Sequence, residues 1–263
     1  MPVVGSHADA VTSTAADARV APSGRSRWCR AQVNRAVAGV ALLLLLPSVA
    51  LFERVRRGTG RAVARHGISI VARLCGVRFD VRPSAAPIAG GTTVFVANHA
   101  SPMDIPAILS AVPDARFLAA AELFRVPLLS SAMRAIGTFP IDRRHPEHGR
   151  EQIAQLVDDH VPGDPTPLVI FPQGEIAAGA RRVPFKSGAF SLAIRTGSAL
   201  VPVAIHGSSR VLAPHGHLAV RPGIVTIEFL EALPTAGLTM DDRQALRDHA
   251  EEMVTAALAA GPP

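Results

Sequence analysis

The sequence predicts an α/β fold: a mostly parallel mixed sheet flanked by helices, with a membrane-associating helical segment in front of it. From Arg78 onward, short β-branched and apolar runs alternate with stretches of helical period, as strands joined by crossover helices do. The polar residues with chemical potential fall just after those strands, at the carboxyl ends where the sites of such sheets gather. Ahead of them, Ala36 to Phe52 carries no charge at all, which gives the helical segment. The expected organisation is a tail over 1–34, the helical segment over 35–75, one domain over 76–235 and a C-terminal helix over 236–263.

In chain order, Met1 to Gly24 is rich in Ala, Ser, Thr, Val and Asp without period, and is expected to be disordered. The apolar run that follows is slightly short of the roughly 20 residues a spanning helix needs. Arg25, Arg27, Arg30 and Arg35 precede it, and Arg54, Arg56, Arg57, Arg61 and Arg65 follow, so charge sets no orientation. Basic flanks on both sides and Pro47 inside favour a segment that dips into one leaflet and returns. A single-span anchor stands beside that reading, with a cleaved leader and a core helix behind both. Gly60 to Leu74 sets Val63, Ile68, Ile70, Val71 and Leu74 among Arg65, His66 and Arg73, the pattern of an interfacial amphipathic helix or of a helix packed on the domain.

Beyond it, strands are predicted at Arg78 to Val81, Thr93 to Ala97, Arg116 to Ala119, Gly137 to Ile141, Leu168 to Phe171, Val201 to His206 and Ile224 to Leu230. Helical patterns fill Ile105 to Ala111, Leu128 to Ile136, Pro146 to Asp159, Lys186 to Thr196 and Asp241 to Leu258. The last carries Leu246, Met253, Val254 and Leu258 at helical spacing and is expected to dock on the domain.

At 263 residues the chain suits one sizeable α/β domain with appendages. A net charge of +6 fits an anionic partner. Nucleic acid is argued against: there is no Tyr, only one Trp, and no basic cluster interleaved with aromatics to stack bases. The positive charge is almost all Arg, with Lys186 the only lysine. Cys29 and Cys75 are too few for a disulfide framework and suggest a reducing, cytoplasmic setting. His215-Gly216-His217 has no third ligand spaced to join it and reads as a turn, so neither a metal nor a cofactor is expected.

The chemistry concentrates at Asn98-His99-Ala100-Ser101-Pro102-Met103-Asp104. Ser101 reads as a helix N-cap and Pro102 as the first helical residue, which makes Asp104 the third. His99 then sits on the turn between strand and helix. A carboxylate in the first helical turn can fold back onto one imidazole nitrogen and leave the other basic toward an alcohol. The competing reading is a capping box, Ser101 with Asp104 in place of the usual Glu.

Three further blocks follow in order, and with the first they resemble the glycerolipid acyltransferase family, best known for the 1-acylglycerol-3-phosphate acyltransferases. The family's Asn-His-x4-Asp is matched by Asn98, His99 and Asp104, and its glycine followed by Ile-Asp-Arg by Gly137 to Arg143. Its Phe-Pro-Glu-Gly-Thr reads here Phe171-Pro172-Gln173-Gly174-Glu175, and its Val-Pro-Val run is Leu200 to Ile205. A Phe-Lys-x-Gly element is present as Phe185 to Gly188. The ordered set covers roughly Val77 to Gly207.

The resemblance implies acyl transfer from a thioester, acyl-CoA or acyl carrier protein, to a lysophospholipid hydroxyl, giving phosphatidate. His99 is the expected base, steered by Asp104, and backbone amides near Gly174 are the expected oxyanion donors. Asn98, Arg143, Phe171, Pro172, Gln173, Gly174, Glu175, Lys186 and Gly188 are the expected substrate contacts, with Arg143 gripping the acceptor phosphate. Arg144 is expected to face solvent, and Arg181 and Arg182 to form a rim toward anionic lipid or carrier. Gln173 and Glu175 depart from the pattern, since an amide replaces the glutamate and a glutamate the threonine. They keep open another lysolipid acceptor, a lyso-aminolipid or glycolipid precursor, and a silent lipid-binding relative. The expected location is the cytoplasmic face of the cell membrane, held through residues 36–52 with anionic lipid as the surface partner.

Overall fold

The computed structural model describes residues 24–83, 93–142, 151–152, 166–177, 183–214 and 219–262. Met1 to Ser23, most of the Pro146 to Asp159 helical pattern, Arg143, Arg144, Arg181, Arg182, His215 and His217 lie outside them.

The chain opens with a helical hairpin, α1 (Gly24–Val55) and α2 (Thr59–Leu74). The apolar run does not turn back within itself. It continues as helix through Pro47 to Val55, and residues 24–34, read from sequence as part of the tail, are its first turns. Gln32–Val55 is 24 residues long and contains an 18-residue stretch with a mean hydropathy of 2.2, long and apolar enough to cross a membrane. Ser48 donates its hydroxyl to the Leu44 carbonyl at 2.7 Å beside the proline, where the helical ladder loses a donor. The return is made outside the run, at Arg56-Arg57-Gly58, and Glu53 organises it. Its carboxylate accepts the N–H of Gly58 at 2.9 Å and of Gly60 at 3.0 Å, capping α2. Gly60 has no room for a side chain: a Cβ there would lie 2.9 Å from the Val49 carbonyl oxygen. That close approach lets the two helices share a small cluster of Val49, Ala64, Ala132 and Ala135 with a later helix, α4 (Pro127–Ala135).

At its other end the hairpin is fastened by one side chain. Asn34 is buried in α1 and donates to two carbonyls, Cys75 at the end of α2 (3.0 Å) and Val220 in the loop before the last strand (2.9 Å). Both donors are satisfied, which removes the penalty of burying the amide.

Seven strands follow in one sheet: β1 (Val77–Arg82), β2 (Thr93–Ala97), β3 (Arg116–Ala120), β4 (Thr138–Ile141), β5 (Leu168–Ile170), β6 (Ala199–His206) and β7 (Gly223–Phe229). Their order is β1-β7-β6-β2-β5-β3-β4. β6, β2, β5, β3 and β4 are mutually parallel, while β7 runs antiparallel to β6 and β1 parallel to β7. The mixed, mostly parallel sheet is therefore as expected from sequence, with the opposed pair at one edge. Pro140 lies on the edge strand β4, where a missing N–H costs no ladder bond. Pro202 lies in central β6, but just past the last residue paired with β7, Val203.

All five residues of β2 are buried. Phe95 and Ala97 face a core shared with α1, α2 and α3 (Asp104–Ala111). Val94 and Val96 face the other core, built with α5 (Gly188–Thr196) and the C-terminal α7 (Arg243–Ala260). α7 docks through Leu246, Ala250 and Val254, whereas Leu258 is exposed. A 3-10 helix (Ala121–Arg125) and the short α6 (Ser208–Val211) complete the described elements; neither was expected from sequence.

Candidate active site

Because the five parallel strands end at one edge of the sheet, that edge collects the residues just after them: His99 after β2, Phe171 to Gly174 after β5, Asp142 after β4 and His206 at the end of β6. Four separate stretches of sequence thus meet along one rim.

At its centre the His99 Nδ1 lies 2.7 Å from Asp104 Oδ2, and Asp104 is fully buried. The same oxygen accepts the N–H of Ala100 and of Ser101, each at 2.8 Å. Ser101 in turn accepts the Met103 N–H on its hydroxyl at 3.0 Å and donates that hydroxyl to the Leu212 carbonyl at 2.6 Å. The regular helix starts at Asp104 rather than Pro102, a shift at the boundary caused by the turn closed between the Asp104 N–H and the Ser101 carbonyl. Half of the capping box is formed, the Ser101 N–H on the Asp104 carboxylate, and it shares a single oxygen with the imidazole and the Ala100 N–H. A carboxylate only accepts, so Nδ1 carries the proton of that bond and Nε2 is left as the basic nitrogen. Nε2 has no hydrogen-bond partner among the described residues.

Further contacts hold the ring and its backbone. Phe171 stacks on it at 4.1 Å between centroids and 17° between planes, and is itself buried beside Phe117. The His99 carbonyl accepts the Ala177 N–H at 2.7 Å, and the His99 N–H donates to Gln173 Oε1 at 2.6 Å. Gln173 is buried, and its Nε2 donates to the Val183 carbonyl at 3.3 Å.

Several residues expected to touch substrate have other work. Asn98 exchanges both bonds of its amide with the Ile205 peptide, Nδ2 to the carbonyl at 3.1 Å and Oδ1 from the N–H at 2.7 Å, and staples β2 to β6. Phe171 lies under the imidazole, and the buried Pro172 lends its carbonyl to the Lys186 N–H at 2.9 Å. The Gly174 N–H, expected among the oxyanion donors, donates to the Phe171 carbonyl at 3.0 Å and closes a turn. Gly174 adopts φ 76°, a left-handed conformation that favours glycine, and a Cβ there would meet Lys186 Nζ at 2.8 Å. Lys186 therefore arches over this turn, two residues ahead of α5, whose first residue is Gly188. Glu175 is exposed. Arg143 lies outside the described residues, although Asp142 just before it donates its N–H to Gln152 at 2.7 Å.

Two features were not read from sequence. An apolar cavity of about 220 Å³ lies between the hairpin and the domain, lined by Leu42, Leu45, Val71 and Phe79 and reaching Pro102 and Met103 beside the dyad. A second imidazole–carboxylate pair, His206 Nε2 with Glu228 at 3.0 Å, joins β6 to β7. The histidine was visible at the end of a strand run, but its partner is 22 residues away.

Residues 78–206 match the model of the family described as Acyltransferase. Those residues are an acyltransferase-family domain. The chain is 28% identical over 184 residues to the 1-acyl-sn-glycerol-3-phosphate acyltransferase BAT2, chloroplastic, of Brassica napus, covering 67% of this chain and 53% of that protein. It is 30% identical over 174 residues to the 1-acyl-sn-glycerol-3-phosphate acyltransferase beta of Homo sapiens, covering 66% of this chain and 62% of that one. The acyltransferase chain thus spans about half the length of the first curated relatives it matches. Its fold resembles the crystal structure of the 1-acyl-sn-glycerophosphate (LPA) acyltransferase from Thermotoga maritima, with a TM-score of 0.65 and 23% identity over 87% of this chain and 95% of that one.

Proposed function

We propose that this acyltransferase moves a fatty acyl group from a thioester donor, acyl-CoA or acyl carrier protein, to the free hydroxyl of 1-acylglycerol-3-phosphate, giving phosphatidate. The observation that carries the reading is the His99–Asp104 pair, with a basic Nε2 on the rim beside an apolar cavity. Nε2 takes the proton of the lipid hydroxyl as its oxygen attacks the thioester carbonyl carbon. The tetrahedral intermediate collapses with cleavage of the carbon–sulfur bond, and the thiolate leaves and takes up the proton from His99. Asp104 holds the tautomer and balances the imidazolium between the two steps. No acyl-enzyme is formed.

The apolar cavity accommodates a fatty chain, and Lys186 and Arg143 are the cations for the acceptor phosphate. The exposed faces of Val40, Leu43, Leu44 and Leu51 on α1 fit a lipid phase, with the flanking arginines at anionic headgroups. We place the site at the cytoplasmic face of the cell membrane. The names of the relatives in Brassica napus and Homo sapiens support the same acceptor.

The test is the purified full chain in detergent, given labelled acyl-CoA or acyl carrier protein and a panel of lysolipids. Phosphatidate formed by the wild type and abolished in His99→Ala is the expected result. Labelling confined to a phosphate-free acceptor overturns the acceptor, and no transfer from either donor overturns the activity.

A further inference from the structure

We propose that Gln173 is a positioning residue that acts on His99 through its backbone, and that this position calls for an acceptor oxygen rather than a charge or a contact to the acceptor lipid. The inference rests on His99 being the base. Gln173 occupies the place of the family's glutamate, the departure that made the acceptor uncertain from sequence. Its side chain is turned away from that task. Oε1 accepts the His99 N–H at 2.6 Å, Nε2 donates to the Val183 carbonyl at 3.3 Å, and only 9% of the residue is exposed. The amide therefore ties two parts of the chain together: the turn that carries the imidazole and the stretch leading to Phe185 and α5.

Consider what the His99 N–H faces without it. Its carbonyl is already used by Ala177, and its ring is fixed by Asp104 on one edge and Phe171 on one face. The N–H bond to Gln173 holds the Asn98–His99 peptide, next to the His99–Ala100 peptide that Ala177 and Asp104 hold. Losing it leaves a buried donor unpaired and lets the turn shift, and a displacement near 1 Å at a reacting group costs about 10²-fold in rate. A carboxyl group of the same length presents the same oxygen to the His99 N–H and, held neutral by its buried setting, donates its O–H to the Val183 carbonyl in place of the amide N–H. Amide and carboxyl group are thus interchangeable for the reaction, and Gln173 is no argument for a different lysolipid.

Wild type, Gln173→Leu and Gln173→Glu are to be compared in steady-state kinetics with lysophosphatidate, together with hydrogen exchange at the His99 amide. Gln173→Leu is expected to lower kcat by at least about tenfold, with KM for the acceptor within about threefold and the amide protection lost. Gln173→Glu is expected to restore kcat to within about threefold of wild type and to restore that protection. A rise in KM with kcat unchanged places Gln173 against the acceptor and overturns the proposal, as does unchanged exchange in Gln173→Leu or a Gln173→Glu no better than Gln173→Leu. If wild type transfers no acyl group, the proposed activity fails instead. The exchange pattern then still decides whether Gln173 holds the His99 turn.

Discussion

Replacing Asp104 by Asn separates the two uses of one oxygen. The amide oxygen still accepts from Ala100 and Ser101, so the start of α3 survives, but an amide cannot hold the imidazole as a carboxylate does. The expected outcome is a folded protein whose kcat is lower by about 10²-fold or more, measured against an unchanged circular dichroism spectrum. Cys75 gives a second test at this scale. Burial pushes its thiol above the ordinary range, because the thiolate is the form that loses solvation. A group whose native value is raised keeps its full stabilising effect below the unfolded value and loses it as pH rises above that value. In a Cys29→Ser background, alkylation at pH 8.5 should therefore be at least about tenfold slower for native than for urea-unfolded protein, and stability should fall as pH is raised further. Equal rates would refute the burial of this thiol.

Among elements, the α1–α2 turn depends on Glu53, whose carboxylate receives the N–H groups that open α2. Glu53→Ala should lower stability by about 1 kcal/mol, read from the thermal midpoint in detergent. Strands were the most legible elements, because β2 and β6 are covered on both faces and so are apolar without interruption. Helix starts were less so. Residues 24–34 read as tail because too few apolar residues stand among their arginines to show a helical period, and α3 was placed early because Ser101 and Pro102 carry the chemistry of a cap without regular helical bonding. At the site, the His99–Asp104 pair was legible because a separation of five residues across one turn determines it. Asn98 and Gln173 were not. Ile205 for Asn98 and His99 for Gln173 are partners set by strand order, and no local spacing reports a staple across 107 residues.

Across the whole molecule, the hairpin and the sheet share a core, and Asn34 is where the two are fastened. Asn34→Leu leaves the Cys75 and Val220 carbonyls without their donor in a buried setting. It should cost about 1–3 kcal/mol, measured by urea unfolding in micelles. The same fastening has a mechanical consequence. A leash would let the His99 imidazole wander over a lipid surface, but a helix bolted to its own domain carries that imidazole at a constant height and attitude. Tilt the helix by some angle and the His99 ring tilts with it, so spin labels on α1 and on α7 should report one unchanging separation whether the protein sits in micelles or in vesicles.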